Sequence, residues 1–279
     1  MSYTAEISRS NPTCFVFLID QSASMIDPIG GTETPQKKAD VVADAINRLL
    51  TELAVKCAKE EGVRDYFHVS IIGYGESVGS AFQGALGGRD LVALSEVADN
   101  PAKVDERTKK VPDGAGGLVE TSTTFPIWME AVANNGTPMC RALALADSIV
   151  TRWVEEHPAC FPPIVLNLTD GEANDGDPTT AASTLQTRAS ADGSVLLFNL
   201  HVSGASAPSV TFPDSASNLP DQYSQTLFSM SSLLPSHMRS YAAQLGFNAS
   251  ETARGFVYNA DIASVIQFLD IGTRAAELR

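Results

Sequence analysis

Residues 14–24 read CFVFLIDQSAS, and that stretch decides the fold. The unbroken apolar run from Cys14 to Ile19 suits a strand covered on both faces, as strands of a parallel sheet are, and it sets Asp20 at the strand's carboxyl end. A Gly/Pro-rich loop, residues 27–35, follows. Residues 37–59 then place Val41, Ala45, Ile46, Leu49, Leu50 and Leu53 at helical spacing, which predicts a helix of several turns. Phe67–Tyr74 reads as a second strand and residues 78–86 as a third. The tight connection through Gly75, Glu76 and Ser77 makes those two an antiparallel hairpin.

Between residues 87 and 135 the periodicity weakens. Glycine pairs, the basic residues Arg107, Lys109 and Lys110, and the Gly-rich residues 113–117 read as a long excursion carrying one added hairpin, against the plainer reading of a solvated loop. Regular alternation resumes with a helix over 139–157, a strand over 163–168, a helix over 179–191 and a strand over 195–202. A Ser/Pro-rich linker, 203–219, leads to helical residues 223–245, a short strand 255–258 and a closing amphipathic helix 262–278. Such alternation predicts an α/β fold: a doubly wound, mostly parallel central sheet with one antiparallel edge strand and helices on both faces. We read residues 1–279 as a single domain with an extended insertion at about 87–135 and an extended segment at about 203–245.

Composition narrows the function. With 279 residues, 44% of them apolar, the chain is long enough to bury a large core. A net charge of -14 repels nucleic acid and anionic lipid and attracts cations, although most acidic residues need do no more than keep a protein soluble. Cys14, Cys57, Cys140 and Cys160 form no CxxC pair and read as reduced core residues. Residues 1–13 lack the apolar core of a secretory signal, and no run of about 18 apolar residues could span a bilayer, so the cytoplasm is the expected location.

In doubly wound sheets, ligands gather at the carboxyl ends of the strands. Three polar elements are expected there: Asp20, Ser22 and Ser24 after the first strand; Asn135, Gly136 and Thr137 before the helix at Met139; and Thr169, Asp170 and Gly171 after the strand 163–168. Taken singly, an Asp-x-Ser-x-Ser stretch more often caps a helix or closes a loop than binds an ion. The conjunction of three such loops changes that balance. Their donors are all oxygen, two carboxylates and three hydroxyls, a set that suits Mg²⁺, or else Mn²⁺ or Ca²⁺, rather than a metal that seeks thiol or imidazole.

These three motifs, in this order, resemble the metal-ion-dependent adhesion site of von Willebrand factor A domains. The resemblance runs from Thr13 to about Ala276, and in style it is similar to intracellular bacterial members of the tellurite-resistance-associated type. It implies that Ser22, Ser24 and Thr137 offer hydroxyls to a divalent cation, while Asp20 and Asp170 hold it directly or through water. It further implies a protein partner whose acidic side chain completes the coordination, with Thr137 as the adjustable ligand, and no bond-breaking chemistry. The expected role is that of an intracellular adaptor or regulator that binds neither nucleic acid nor membrane; the oligomeric state is open.

Two rivals use the same residues. A metal-dependent phosphatase or other hydrolase would employ Asp20 as nucleophile, but the haloacid-dehalogenase pattern wants a second Asp where Ser22 stands, and no general acid is evident. No P-loop and no nucleophile elbow occur. The four histidines are scattered, and His68 and His201 fall in strands. The other rival is a structural adaptor with a vestigial metal site, against which stands the need to compensate two buried carboxylates. Trp128 and Trp153 read as packing residues, with Trp128 the better candidate for partner contact, and the basic trio reads as a solvated face rather than a docking patch.

Overall fold

The fold follows from how the apolar runs pair. In the computed structural model, residues 3–29, 36–112, 118–203 and 209–273 are described. The run at residue 14 forms β1 (Thr13–Asp20), buried along its whole length. It pairs in parallel with β2 (Phe67–Tyr74), Asp20 opposite Tyr74. Val78–Ser80 forms the antiparallel edge strand β3, three residues long where nine were expected. The chain then turns at Phe82 into a short helical turn, Gly84–Leu86.

The other half of the sheet comprises β6 (Ile164–Thr169), β7 (Leu196–Val202) and β8 (Phe256–Ala260), all parallel, in the order β8-β7-β6-β1-β2-β3. Two further antiparallel pieces flank it, Val210–Thr211 against β8 and Val92–Ala93 against β2. The mostly parallel, doubly wound reading therefore holds, with three short antiparallel segments in place of one.

Period-two alternation in the central strands feeds two helical layers. Phe15, Phe17 and Ile19 of β1, with Leu166, Leu168, Phe198 and Leu200, face a core completed by α1 (Lys38–Cys57) and α7 (Ile262–Gly272). Val16, Leu18, Val165 and Leu197 face the opposite core, under α3 (Met139–Glu156), α4 (Thr179–Thr187) and α5 (Gln222–Met230). The helix expected over 223–245 is two: α5 ends at Met230, and α6 (Ser236–Gln244) begins after Pro235, which pushes the residue before it out of the helical region. The tail of the expected closing helix, 274–278, lies outside the described residues.

The excursion contains α2 (Leu94–Asp99) and a ten-residue-per-strand hairpin, β4 (Lys103–Pro112) and β5 (Leu118–Ile127), separate from the main sheet. At its base Asn47 of α1 accepts from the Trp128 and Met129 amides at 2.9 and 3.2 Å and donates to the Met129 carbonyl at 2.9 Å. Trp128 is buried and donates its indole proton to the Val97 carbonyl, so it packs in the core as its packing reading expects, and the lesser reading of it as a partner contact falls away. Arg107 is also engaged, bonding both carboxylate oxygens of Asp44 and lying over the Phe125 ring. Cys14, Cys57 and Cys160 are buried, Cys140 is half-buried, and all four are free thiols. Among the described residues no helix is long and apolar enough to cross a membrane.

Candidate metal centre at the switch point

From β1 the chain leaves to one side of the sheet, toward β2, and later returns on the other side, at β6. The carboxyl ends of β1 and β6 therefore part the loops in opposite directions and leave a crevice between them, the topological switch point. Asp20 and Thr169 end the two strands there. Thr169 Oγ1 donates to Asp20 Oδ2 at 2.6 Å, and the Ser22 amide donates to Asp20 Oδ1 at 2.8 Å. Burial pushes the Asp20 carboxyl up to about 6, offset in part by those bonds from Ser22 and Thr169 and reinforced by the nearby charge of Asp170.

Ser22 and Ser24 stand side by side, their hydroxyl oxygens 3.1 Å apart, and Ser24 Oγ donates to Asp170 Oδ1 at 2.7 Å. Ser22 is buried while Ser24 is exposed, so the cluster opens to solvent on the Ser24 side. Three of the five expected residues thus meet directly, and Asp20 joins them through the Ser22 amide. Thr137 is buried in the adjoining segment, tied to both loops through backbone: the Asn135 carbonyl accepts from the Ala23 amide at 2.9 Å, and the Thr137 carbonyl accepts from the Asn174 amide at 3.0 Å. Gly136 leaves room for the Asn174 side chain, whose Nδ2 a Cβ there would meet at 1.9 Å.

Several residues around this cluster play parts that the sequence reading did not assign them. Lys38, the first residue of α1, reaches over the site and bonds Asp170 Oδ2 at 2.8 Å, with the Ser24 carbonyl at 3.5 Å. Thr169, read only as part of a loop motif, is the direct donor to Asp20. Asp175 caps α3, its two oxygens accepting from the Cys140 and Arg141 amides at 3.0 Å each. Beneath the site, a buried polar row crosses the sheet from Tyr74 through Asn167 and Asn199 to Ser231, with links of 2.6, 2.9 and 3.0 Å. Asn167 and Asn199 did carry a signal, polar residues inside otherwise apolar strands. His201 is stacked on Tyr258, and burial lowers its pKa.

Chemically, the cluster is a hard-oxygen set of the Asp20 and Asp170 carboxylates and the Ser22, Ser24 and Thr169 hydroxyls, and Asp20 is a buried carboxylate whose ionised form gains from a nearby cation. The residues fit a divalent ion. Among the described residues no group of three or more His, Cys, Asp or Glu side chains could hold a metal, so any such centre here depends on the hydroxyls.

No family model matches the sequence, and no curated protein matches it either. Among solved structures, the chain is similar to a von Willebrand factor type A protein from Catenulispora acidiphila, at 17% identity and a TM-score of 0.47, over 95% of this chain and 43% of that one. It is also similar to the proximal thread matrix protein 1 of the mussel byssus with a zinc-occupied MIDAS motif, at 12% identity and a TM-score of 0.41, over 70% of this chain and 37% of that one. A third is the vWF domain of the type V pili tip protein Mfa5 from Porphyromonas gingivalis, at 16% identity and a TM-score of 0.30, over 58% of this chain and 39% of that one. The chain spans less than half the length of each. Its fold assignment rests on its own strand order and connectivity.

Proposed function

We propose that this chain is a divalent-cation-dependent protein-binding module. The observation that carries the reading is the meeting of Ser22, Ser24 and Asp170 at the switch point, beside a buried Asp20. Ser22, Ser24 and Thr137 would supply hydroxyl oxygens and Asp20 and Asp170 carboxylate oxygens to Mg²⁺, Mn²⁺ or Ca²⁺. When bound, the ion supplies a positive centre able to accept an acidic side chain of a partner protein. The chain's own residues do the positioning: Thr169 and the Ser22 amide orient Asp20, and Ser24 orients Asp170.

A non-enzymatic role is part of this reading. Both oxygens of Asp20 accept hydrogen bonds and the residue is buried, an arrangement suited to holding an ion rather than attacking a phosphoryl group. Four free thiols fit a reducing compartment, so we place the module in the cytoplasm as an adaptor or regulator of the intracellular bacterial type. One observation favours a second reading, a structural adaptor whose cation site is vestigial: Lys38 already neutralises Asp170. Affinity capture on the immobilised chain, in MgCl₂ and in EDTA, tests the proposal. A partner retained only in MgCl₂ is expected, and retention unchanged in EDTA would contradict it.

A further inference from the structure

Lys38 is 7% exposed, and its side chain and that of Asp170 are both sequestered from water. Its position is electrostatically unusual, because a cation in the first turn of a helix opposes the positive end of the helix dipole. Neighbouring Lys37 does what lysines ordinarily do and lies exposed. The Lys38 ammonium is held in place by Asp170 Oδ2 at 2.8 Å and the Ser24 carbonyl at 3.5 Å, beside the carboxylate whose other oxygen accepts from Ser24 Oγ. Backbone bonds hold the residues on either side of 30–35, Lys38 N–H to the Asp27 carbonyl at 3.0 Å and Ile29 N–H to the Gln36 carbonyl at 2.8 Å.

We infer that Lys38 is a built-in cation, which neutralises Asp170 in the metal-free protein and competes there with the divalent ion. The inference rests on the cation-site reading proposed above. A metal drawing on Asp170 would share one carboxylate with an ammonium, and two positive centres on one small anion repel each other strongly where water is excluded. Metal binding is then an exchange: the ammonium must be displaced or lose its hold on Asp170. Two consequences follow. The cluster stays assembled without metal, since Asp170 is never an uncompensated buried charge. The affinity for metal is lowered, so that occupancy responds to the free cation concentration instead of being permanent.

The test uses the full chain and Mn²⁺ as probe, with three variants. Lys38→Met removes the charge at similar volume, Lys38→Arg keeps it, and Lys38→Gln, which retains a donor toward Asp170, serves as a second neutral form if the Met variant folds poorly. Calorimetric titration should show Mn²⁺ binding at least tenfold tighter in Lys38→Met and Lys38→Gln than in wild type, and wild-type-like in Lys38→Arg. The midpoint of thermal unfolding in EDTA should fall in Lys38→Met, and at one Mn²⁺ concentration the metal should raise it by more in that variant than in wild type. A purely structural role for Lys38 would lower stability without raising affinity. Equal or weaker Mn²⁺ binding in both neutral variants, or tighter binding in Lys38→Arg, overturns the inference while leaving the cation site standing. No Mn²⁺ binding to wild type or any variant at millimolar concentration overturns both.

Discussion

Thr169 donates its hydroxyl proton to Asp20 across 2.6 Å, joining residues 149 positions apart at the carboxyl ends of two adjacent parallel strands. With the Ser22 amide on the other oxygen, the carboxylate is aligned before any ligand arrives. Alignment of this kind preorganises a binding site, because the polar groups need little rearrangement when the ligand enters.

The position of Asp20 sets a pH dependence. Its carboxyl is pushed up to about 6 by burial, and a proton competes with a cation for the same oxygens. As pH falls through 6 the group takes up a proton, so Mn²⁺ affinity should decline below that value by roughly tenfold per pH unit and level off above about 7. Calorimetry between pH 5 and 8 checks this, with Asp20→Asn as the variant whose profile should lose the step. An affinity flat from pH 5 to 7 in the wild type would contradict it.

The hairpin β4–β5 should be energetically attached to the body through Asn47. Replacing Asn47 by Ala removes three buried hydrogen bonds to the Trp128 and Met129 backbone and leaves those groups without partners, at a loss of about 3 kcal/mol of unfolding free energy. Urea denaturation measures it. A loss below about 0.5 kcal/mol, the range of an ordinary surface change, would mean that the excursion is not docked through this residue.

Much of this was legible in the sequence because it was written locally. The run 67–74 matches β2 to the residue, since a stretch rich in β-branched and aromatic residues that stops at Gly75 has few other uses. The start of α3 at Met139 was likewise marked by the Gly136, Thr137, Pro138 stretch. The break between α5 and α6 also had a local signal in Pro235, which was overridden by the helical spacing on either side. Ser22, Ser24 and Asp170 could be named because strand ends in a doubly wound sheet have a known location. Lys38 could not: its partner lies 132 residues away, and nothing in the helical pattern of residues 37–59 distinguishes the buried lysine from its exposed neighbour. The true length of the hairpin was hidden for a related reason, since Thr121, Ser122, Thr123 and Thr124 are strand-compatible but equally at home in a solvated loop.

Thr137 should matter to the partner more than to the ion. It stands on a segment joined to both other loops through backbone, so its hydroxyl can be removed without disturbing Asp20 or Asp170. Thr137→Ala is expected to weaken binding of a partner recovered in the MgCl₂ capture by about 1 to 3 kcal/mol, the range for one charge-assisted contact, and to change bare Mn²⁺ affinity less. Asp20→Ala should impair both. Equal losses of metal and partner affinity in Thr137→Ala would refute a separate role for this residue.

The most direct measurement is Mn²⁺ titration of the full chain followed by electron paramagnetic resonance, comparing wild type with the Ser22→Ala/Ser24→Ala double variant. Ser24 bonds Asp170 and Ser22 bonds Ser24, and neither side chain belongs to the hydrophobic core, so the variant should fold. The account predicts one Mn²⁺ per wild-type chain with an oxygen-only spectrum, displaced by Mg²⁺, and affinity reduced at least tenfold in the double variant. Absence of binding at millimolar Mn²⁺, or an ion that binds equally well to the double variant, would contradict it.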